Sequence, residues 1–209
     1  MPNEWINKRK KEYFYKKAKK ENFRSRASYK LLQAAKKYDF IKPGWVVVDL
    51  GAAPGGWTQA ARGIVEDSGF VLAIDIRPLK NFDKPNIRTI IGDITDTKII
   101  NKINEYLPRQ ADVVISDISP NVSGIWELDH ARQIDLALHS LKIAIAILRV
   151  KGNFFVKCFQ GSLLNKFVNE VKNNFCFVKL VKPRASRMKS AEIYVLGMGV
   201  KKGKIALKS

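Results

Sequence analysis

Short apolar segments alternate with helical patterns along most of this chain, and that alternation limits the possible fold more than any other feature. The candidate strands are rich in β-branched and aromatic residues and lie at Val46–Leu50, Phe70–Asp75, Ile87–Ile91, Val113–Asp117, Phe154–Lys157, Phe175–Lys182 and Ile193–Met198. The helical patterns lie at Ser28–Tyr38, Thr58–Val65, Ile99–Tyr106, Ala131–Leu148 and Leu163–Asn173. Short strands separated by helices predict a parallel sheet that is covered by helices on both faces.

The connection between the last two candidate strands differs from the others. Only a short basic loop separates Phe175–Lys182 from Ile193–Met198, which leaves no room for a crossover helix. Two strands joined in this way pair antiparallel. The sequence therefore predicts an α/β fold with a doubly wound sheet that is mostly parallel and carries an antiparallel strand at its end.

The charge of the chain is large and unevenly distributed. The 209 residues suit one domain, and 38 Lys and Arg against 19 Asp and Glu give a net charge of +19. Residues 1–30 hold 11 basic and 3 acidic residues, and residues 179–209 hold 9 and 1, so the centre is nearly balanced. Such an excess predicts a polyanionic partner, either nucleic acid or an acidic membrane surface.

Several classes of protein fit this sequence poorly. The two cysteines, Cys158 and Cys176, form no CxxC pair, which disfavours a zinc site and a disulfide framework. The start MPNEWINKRKK has no apolar signal-peptide core, and polar side chains interrupt the longest apolar-rich helical stretch. The sequence therefore predicts a cytoplasmic protein with no metal ion and no membrane span.

A glycine-rich loop, within the stretch VVDLGAAPGGW, follows the first candidate strand. Glycines at Gly51, Gly55 and Gly56 would let the backbone come close to a ligand. A phosphate-binding loop of the GxxxxGK[ST] type would need a lysine after Gly56, where this chain has Trp57. The glycine spacing also fits the GxGxxG dinucleotide pattern poorly. The loop indicates a ligand site, but not an ATP site.

Carboxylates end three successive candidate strands around this loop. Asp75 closes the second strand, Asp93 the third and Asp117 the fourth. A carboxylate at Asp75 can accept hydrogen bonds from both hydroxyls of a ribose, and Asp93 is placed to meet an adenine amino group. Acidic residues would repel a pyrophosphate, but they suit an uncharged nucleoside that carries a cationic centre. The pattern therefore indicates S-adenosylmethionine as the cofactor.

The residues after the fourth strand bear on which atom would receive a methyl group. Enzymes that methylate exocyclic base nitrogens usually place a Pro-Pro-aromatic motif there, whereas this chain has Asp-Ile-Ser-Pro-Asn, beginning at Asp117. Lys157 closes the fifth candidate strand, where a buried ammonium group needs a carboxylate partner. Asp117 and Glu192 are the candidate partners, and Lys30 precedes the whole sheet.

Five motifs spread over roughly Phe23–Gly197 are similar to those of a known family. They are FRSRASYKL, VVDLGAAPGGW, SDISPNVSG, FVKCFQG and SAEIYV. On these motifs the chain resembles the FtsJ family of RNA 2′-O-ribose methyltransferases, and most of all its branch that acts on large-subunit ribosomal RNA. The resemblance implies a Rossmann-like methyltransferase sheet, S-adenosyl-L-methionine as the cofactor, and the ribose 2′-hydroxyl of a uridine as the acceptor.

The resemblance also assigns roles to individual residues. The catalytic tetrad of the family falls on Lys30, Asp117, Lys157 and Glu192, with Lys157 as the proton acceptor. The expected cofactor-binding residues, including the glycine loop, are Gly51, Gly55, Gly56, Trp57, Asp75, Asp93 and Asp117. We expect these widely separated residues to meet at one edge of the sheet.

The basic ends of the chain are interpreted as surfaces for RNA, with ribosomal RNA or the large ribosomal subunit as the expected partner. We expect a basic RNA-binding extension at residues 1–27, a methyltransferase domain at 28–200 and a basic tail at 201–209. The candidate RNA-binding residues are Lys8, Arg9, Lys10, Lys11, Arg24, Arg26, Lys182, Arg184 and Arg187.

Three other functions remain open at this point. The same chemistry could act on the anticodon loop of a transfer RNA, as in other branches of the family. The chain could also be a non-catalytic RNA-binding module that retains a relic of a cofactor site. A nicotinamide-dependent oxidoreductase would share the strand–glycine–helix–Asp layout, but it leaves Lys30, Lys157 and Glu192 without a role.

Overall fold

The computed structural model describes residues 12–187 and 189–201. The helices are α1 (residues 12–20), α2 (Ser28–Tyr38), α3 (Gly56–Val65), α4 (Ile99–Tyr106), α5 (Trp126–Ile147) and α6 (Leu164–Asn174). The strands are β1 (Val46–Leu50), β2 (Phe70–Asp75), β3 (Ile87–Ile91), β4 (Ala111–Ser116), β5 (Leu148–Phe159), β6 (Phe175–Val181) and β7 (Glu192–Val200). No helix within these ranges combines the length and the apolar sequence that a membrane crossing requires.

The described strands form one seven-stranded sheet in the order β3-β2-β1-β4-β5-β7-β6. Strands β1 to β5 run parallel to one another, whereas β7 pairs antiparallel with both β5 and β6. The predicted doubly wound, mostly parallel α/β fold is therefore confirmed. The antiparallel strand lies between β5 and β6 and not at the edge, because the crossover through α6 places β6 one position away and leaves a gap that β7 fills.

Several predicted boundaries differ from the structure near the carboxyl ends of the strands. Strand β4 ends at Ser116, so Asp117 is the first residue beyond it, and β5 continues past Lys157 to Phe159. Helix α5 begins at Trp126, five residues before the predicted start. Acidic residues in the first turn of α5 favour this early start, since they interact well with the positive end of the helix dipole.

Each face of the sheet buries its own apolar cluster. Val48 and Leu50 of β1 face the side covered by α4, α5 and α6, whereas Val47 faces the side covered by α2 and α3. Apolar side chains are therefore found at consecutive positions of β1, and all five of its residues are buried. This is the pattern expected of a central strand in a sheet that is covered on both sides.

The described part of the N-terminal segment packs against the domain. Ala18 of α1 is buried together with Tyr29 of α2 and Ala185 of the β6–β7 loop, and Phe14 packs against them. The Tyr29 hydroxyl donates a 2.7 Å hydrogen bond to Glu21 Oε2. Aromatic contacts of Tyr29 with Phe14 and Phe23 cross residue 27, where the sequence predicted a boundary between an extension and the domain. That boundary stays a prediction.

Candidate active site

An open cleft of about 570 Å³ lies at the carboxyl ends of the parallel strands, where ligands bind in doubly wound folds. The loops that follow β1, β2, β3 and β4 line it. Four of the predicted cofactor residues are in its wall, namely Gly51, Asp75, Asp93 and Asp117. The ends of β2, β3 and β4 thus bring three carboxylates to one place beside the glycine loop, as the sequence predicted.

Asp75 connects the second strand to the glycine loop. Its Oδ2 accepts a 2.8 Å hydrogen bond from the N–H of Ala53, and its Oδ1 accepts one of 2.9 Å from the N–H of Arg77. Only 6% of Asp75 is exposed, at the cleft wall. These two backbone donors hold the carboxylate in one orientation against the loop.

Asp93 follows β3 by two residues and lies in a tight turn. Its Oδ1 accepts hydrogen bonds from the backbone N–H and from the hydroxyl of Thr95, both 2.8 Å long. The backbone hydrogen bond, supported by the hydroxyl, holds the pKa of Asp93 below its ordinary value. The carboxylate therefore remains charged at the edge of the cleft at neutral pH.

Glycine is required at position 51 because the loop after β4 comes very close to the backbone there. The φ of Gly51 is +71°, in the left-handed region that favours glycine, and a Cβ there would lie 2.8 Å from Cβ of Ile118. Ile118 belongs to the loop after β4, so Gly51 lets the first and fourth loops touch. A larger residue would push these two walls of the cleft apart.

Gly55, Gly56 and Trp57 occupy the far side of the glycine loop. A Cβ at Gly55 would lie 2.5 Å from the Phe82 ring, and one at Gly56 would lie 2.2 Å from the Ser25 hydroxyl. The buried indole of Trp57 donates a 2.9 Å hydrogen bond to the Ala27 carbonyl. The structure thus explains these three residues by packing, and their contact with a cofactor stays a prediction.

Two of the four tetrad residues form a first ion pair. Nζ of Lys30, at the first turns of α2, lies 2.7 Å from Oε2 of Glu192 at the start of β7. The other carboxylate oxygen, Oε1, accepts a 2.8 Å hydrogen bond from the Ser186 hydroxyl. The Lys30 and Glu192 side chains are only 12% and 13% exposed, so solvent screens this pair weakly.

The other two tetrad residues form a second ion pair. Nζ of Lys157 lies 3.3 Å from Oδ1 of Asp117 and donates a 2.5 Å hydrogen bond to the Asp117 carbonyl oxygen. The Lys157 side chain is 7% exposed. Two of its three possible N–H directions therefore point at one residue, Asp117.

A glutamine of α5 fixes the backbone around the second pair. The amide nitrogen Nε2 of Gln133 donates to the Lys157 carbonyl at 3.0 Å and to the Ile118 carbonyl at 3.2 Å. Gln133 is fully buried. One side chain therefore ties the end of β5 to the loop that follows β4.

Tyr194 joins the two ion pairs and was missed by the sequence analysis. Its hydroxyl donates a 2.7 Å hydrogen bond to Oδ1 of Asp117, and Nζ of Lys30 lies 5.8 Å from the centre of its ring. Burial, together with the neighbouring carboxylates, raises the pKa of Tyr194 well above its ordinary value, so the phenol stays a donor. A signal was present, since alternate strand residues share a face and Tyr194 follows Glu192 by two.

The structure therefore brings Lys30, Asp117, Lys157 and Glu192 together, as two ion pairs that Tyr194 connects at the rim of the cleft. Asp117 lines the cleft and contacts the Lys157 amine, so it links the cleft to the tetrad. The catalytic roles given to the four residues stay predictions.

The candidate RNA-binding residues fall into different environments. The run from Lys8 to Lys11 lies outside the described residues. The Arg24 guanidinium donates a 2.8 Å hydrogen bond to the Lys80 carbonyl and lies 3.7 Å from the centre of the Phe82 ring. These contacts tie Arg24 to the loop between β2 and β3, and its predicted role in binding RNA is not tested.

The other candidates surround the first ion pair or lie on the surface. Burial lowers the pKa of Arg26, and the nearby Arg187 charge acts in the same direction while Glu192 opposes it. Arg184 and Arg187 are exposed in the loop between β6 and β7. Lys182 is exposed as well and donates a 2.9 Å hydrogen bond to the Ser190 carbonyl. Positive charge therefore borders the tetrad on the β6–β7 side.

Comparison with known proteins identifies the family. A model of FtsJ-like methyltransferases matches residues 23–200, which include all the strands and the cleft. The chain belongs to the FtsJ-like methyltransferase family. It is 51% identical over 195 residues to a ribosomal RNA large subunit methyltransferase E of Methanocaldococcus jannaschii, covering 92% of this chain and 80% of that protein.

Two further comparisons agree with this result. The ribosomal RNA large subunit methyltransferase E of Methanothermobacter thermautotrophicus is 47% identical over 201 residues, which are 96% of this chain and 95% of that protein. A crystal structure from Plasmodium falciparum, assigned as a ribosomal RNA methyltransferase, superposes with a TM-score of 0.75 and 26% identity. It covers 85% of this chain and 98% of that one.

Proposed function

We propose that this methyltransferase transfers a methyl group from S-adenosyl-L-methionine to the ribose 2′-hydroxyl of a uridine in large-subunit ribosomal RNA. One observation carries the proposal above the others. The Lys157 amine and the Asp117 carboxylate form an ion pair at the rim of a cleft whose other walls carry Asp75 and Asp93. A nucleoside cofactor and a proton acceptor would therefore meet at Asp117.

The cleft residues fit S-adenosyl-L-methionine. Asp75 has two carboxylate oxygens oriented by backbone donors and could accept hydrogen bonds from the ribose hydroxyls. Asp93, charged and turned into the cleft wall, could accept from the adenine amino group. Asp117 adds negative charge where the sulfonium would lie. The cofactor supplies an electrophilic methyl group, which a hydroxyl oxygen can attack in line.

The tetrad residues provide what a ribose hydroxyl lacks. Once its ammonium group has released a proton to solvent, the Lys157 amine would accept the hydroxyl proton as the oxygen–carbon bond forms and the methyl–sulfur bond breaks. Asp117 orients that amine with both its carbonyl and its carboxylate. Lys30, held by Glu192, would place positive charge beside the developing negative charge on the oxygen. Much of the rate would come from holding the two reactants in line.

Charge and relatives support ribosomal RNA as the substrate. The chain carries a net charge of +19, and exposed arginines such as Arg184 and Arg187 lie in the loop that leads to Glu192. Basic side chains bind RNA phosphates with affinity that falls steeply as salt rises. The two archaeal relatives, which match nearly all of this chain, are named for activity on large-subunit ribosomal RNA.

A labelled-methyl transfer assay tests this function. Purified protein would be mixed with the labelled cofactor and, separately, with large ribosomal subunits, large-subunit RNA and total transfer RNA from a strain that lacks the protein. We expect label in the ribosomal samples, and mapping of 2′-O-methyl positions should find a uridine. Label in transfer RNA alone would show that the substrate is a transfer RNA, as in the branches of the family that act on the anticodon loop. If no RNA is labelled although the cofactor binds normally, the result would support the non-catalytic RNA-binding module instead.

A further inference from the structure

An exposed tryptophan lies at the start of α5, five residues after Asn121 of the cleft wall, and the site described above gives it no role. Trp126 is the first residue of α5 and is 44% exposed. The loop that leads to it also exposes apolar side chains, with Ile125 at 60% and Val122 at 71%. An exposed apolar cluster of this kind marks an interaction site more often than a packing site.

Trp126 is one member of a set of three nearly parallel rings, which we call the aromatic shelf and which consists of Trp126, His130 and Phe159. The Trp126 ring lies 5.8 Å from the His130 ring at an angle of 15° between their planes. It lies 6.0 Å from the Phe159 ring at an angle of 23°. The inner rings support the indole and leave part of it open to solvent.

Hydrogen bonds hold the shelf and its loop in place. The buried Asp129 carboxylate accepts from the N–H and the hydroxyl of Ser123 at 2.7 and 2.8 Å, and from the N–H of Gly124 at 3.1 Å. Nε2 of His130 accepts a 3.0 Å hydrogen bond from the N–H of Leu163. A platform fixed in this way can bind a flat ligand with little loss of side-chain freedom.

The shelf adjoins the two ion pairs through β5. Phe159 lies opposite Glu192 in the antiparallel register of β5 and β7. Lys157 precedes Phe159 by two residues, so their side chains share one face of the strand and lie about 7 Å apart. That spacing is close to the size of one nucleotide, so a base on the shelf and a ribose at Lys157 could belong to the same or to adjacent nucleotides.

We propose that the aromatic shelf stacks an unpaired nucleobase of the RNA at or next to the nucleotide whose ribose is methylated. This inference rests on the proposed function. Proteins read unpaired RNA largely by stacking its bases on exposed aromatic rings. A base is uncharged, so the nearby Glu192 and Asp117 do not repel it, while the phosphates can reach the basic β6–β7 loop. The charge of the chain favours RNA over an apolar protein segment as the occupant.

Variants of the shelf test the proposal by kinetics. Trp126→Ala removes the platform, Trp126→Phe keeps a ring, and Leu128→Ala is a matched control, because Leu128 is 39% exposed in the same helical turn. With undermethylated large subunits as substrate, we expect Trp126→Ala to lower kcat/KM by roughly 5- to 100-fold. Trp126→Phe should retain most of the activity and Leu128→Ala nearly all. The dependence on salt should not change, since stacking involves no phosphate.

Equal kcat/KM for Trp126→Ala and the wild type would overturn the proposal, as would an equal loss in Leu128→Ala. Cofactor affinity, measured on the same samples without RNA, should stay at the wild-type value. If the wild type transfers no methyl group to any RNA, the proposed function fails, and a separate measurement still tests the shelf.

That measurement is quenching of the Trp126 emission, taken as the difference between the wild type and Trp126→Phe. Single-stranded hexauridylate should quench it, and an abasic ribose-phosphate oligomer of the same length should not. Quenching by neither oligomer, or equally by both, would show that no base stacks on the indole. An unchanged emission together with binding of an apolar peptide would reassign the shelf to a protein partner.

Discussion

Two aspartates of the sheet are almost equally buried, yet their surroundings differ completely. Asp49 on β1 and Asp112 on β4 are 1% and 2% exposed. Asp112 lies at the amino edge of the sheet and contacts two arginines, whereas Asp49 lies towards the carboxyl edge and its hydrogen-bond donor is the Thr58 hydroxyl at 2.7 Å. Within the described chain, Oδ1 of Asp49 has no hydrogen-bond partner.

The pKa values of the two carboxyl groups shift in opposite directions. Burial would raise the pKa of Asp112, but hydrogen bonds from Arg109, the Val46 N–H and Arg149 together lower it. Burial raises the pKa of Asp49 to about 7, and the charges of Asp117 and Asp75 act in the same direction, against the hydrogen bond from Thr58. At the amino edge, two arginines balance the charge of the buried Asp112. At the carboxyl edge, the charges of Asp117 and Asp75 repel a negative charge on Asp49.

This difference separates stability from function within one sheet. Asp117 and Asp75 contact Lys157 and Arg77, but the buried Asp49 has no cationic partner of this kind among the residues that the structure describes. Buried groups with shifted pKa values cluster where a ligand is bound or a reaction is carried out. We therefore expect substitutions at the carboxyl edge to affect activity and substitutions at the amino edge to affect stability.

Lys157→Gln should have the largest effect. Loss of the proton acceptor should lower the rate of methyl transfer by at least about 100-fold, the size typical of a general base, while cofactor binding is retained. The matched control is Lys151→Gln, because Lys151 is exposed near the amino edge of the same strand. Single-turnover transfer of labelled methyl groups measures both variants, and near-normal turnover of Lys157→Gln would exclude Lys157 as the acceptor.

Asp117→Ala should lower both activity and cofactor affinity. The substitution removes the carboxylate that lines the cleft, pairs with Lys157 and accepts from Tyr194. We expect at least about a ten-fold loss in the affinity for S-adenosyl-L-methionine, as for loss of a charged hydrogen-bonding group in a site. Calorimetric titration without RNA measures it, and unchanged affinity would place the cofactor away from Asp117.

Asp112→Asn should affect stability and leave activity unchanged. The substitution weakens two arginine contacts and keeps an acceptor for the Val46 N–H, which lies 2.7 Å from Oδ2. We expect the free energy of unfolding to fall by about 2 kcal/mol, because the arginines are partly exposed and can be solvated. Urea unfolding measures this change, and an equally large loss of methyl transfer below the unfolding transition would contradict the separation of the two edges.

Asp49→Asn should change the response to pH. The folded protein binds a proton at Asp49 up to about pH 7, whereas the unfolded chain releases it near the ordinary pKa of 3.8. Wild-type stability should therefore fall with rising pH across this window, by up to about 1.4 kcal/mol per pH unit. The Asp49→Asn variant should lack that contribution, which unfolding at pH 5 and pH 6 would show.

Asp112 should show the opposite sign. Its lowered pKa means that its contribution to stability is present above the ordinary value of 3.8 and is lost as the pH falls through the folded value. Asp112→Asn should therefore reduce the loss of stability in acid. If the two variants shift the pH profile in the same direction, the contrast between the edges is wrong.

Regular periodicity made most of the fold predictable. Strands β1, β2 and β3 and helices α2 and α4 have the predicted bounds, because short β-branched runs and helical patterns with clear stops determine them locally. The position of β7 between β5 and β6 was not predicted. It depends on how far the α6 crossover carries the chain, which is a tertiary property that local sequence does not encode.

The candidate site was predictable in its residues but not in their linkage. The tetrad residues were predicted from sequence motifs. Tyr194 is an aromatic residue in a strand, and the sequence does not show that its hydroxyl contacts Asp117. Trp126 was not among the predicted site residues, and its exposure became visible only in the structure. The domain boundaries, the RNA contacts and the cytoplasmic location stay predictions, because they concern partners and segments beyond the described contacts.

The side-chain amide of Gln133 couples two parts of the site. It holds both the Ile118 carbonyl, in the wall that touches Gly51, and the Lys157 carbonyl, beside the reactive amine. The cleft wall and the end of β5 are thus linked through α5, which also contributes Leu136 to the cleft lining. Loss of the two Gln133 hydrogen bonds would therefore disturb the cleft wall and the position of Lys157 together, so we do not expect one to change alone.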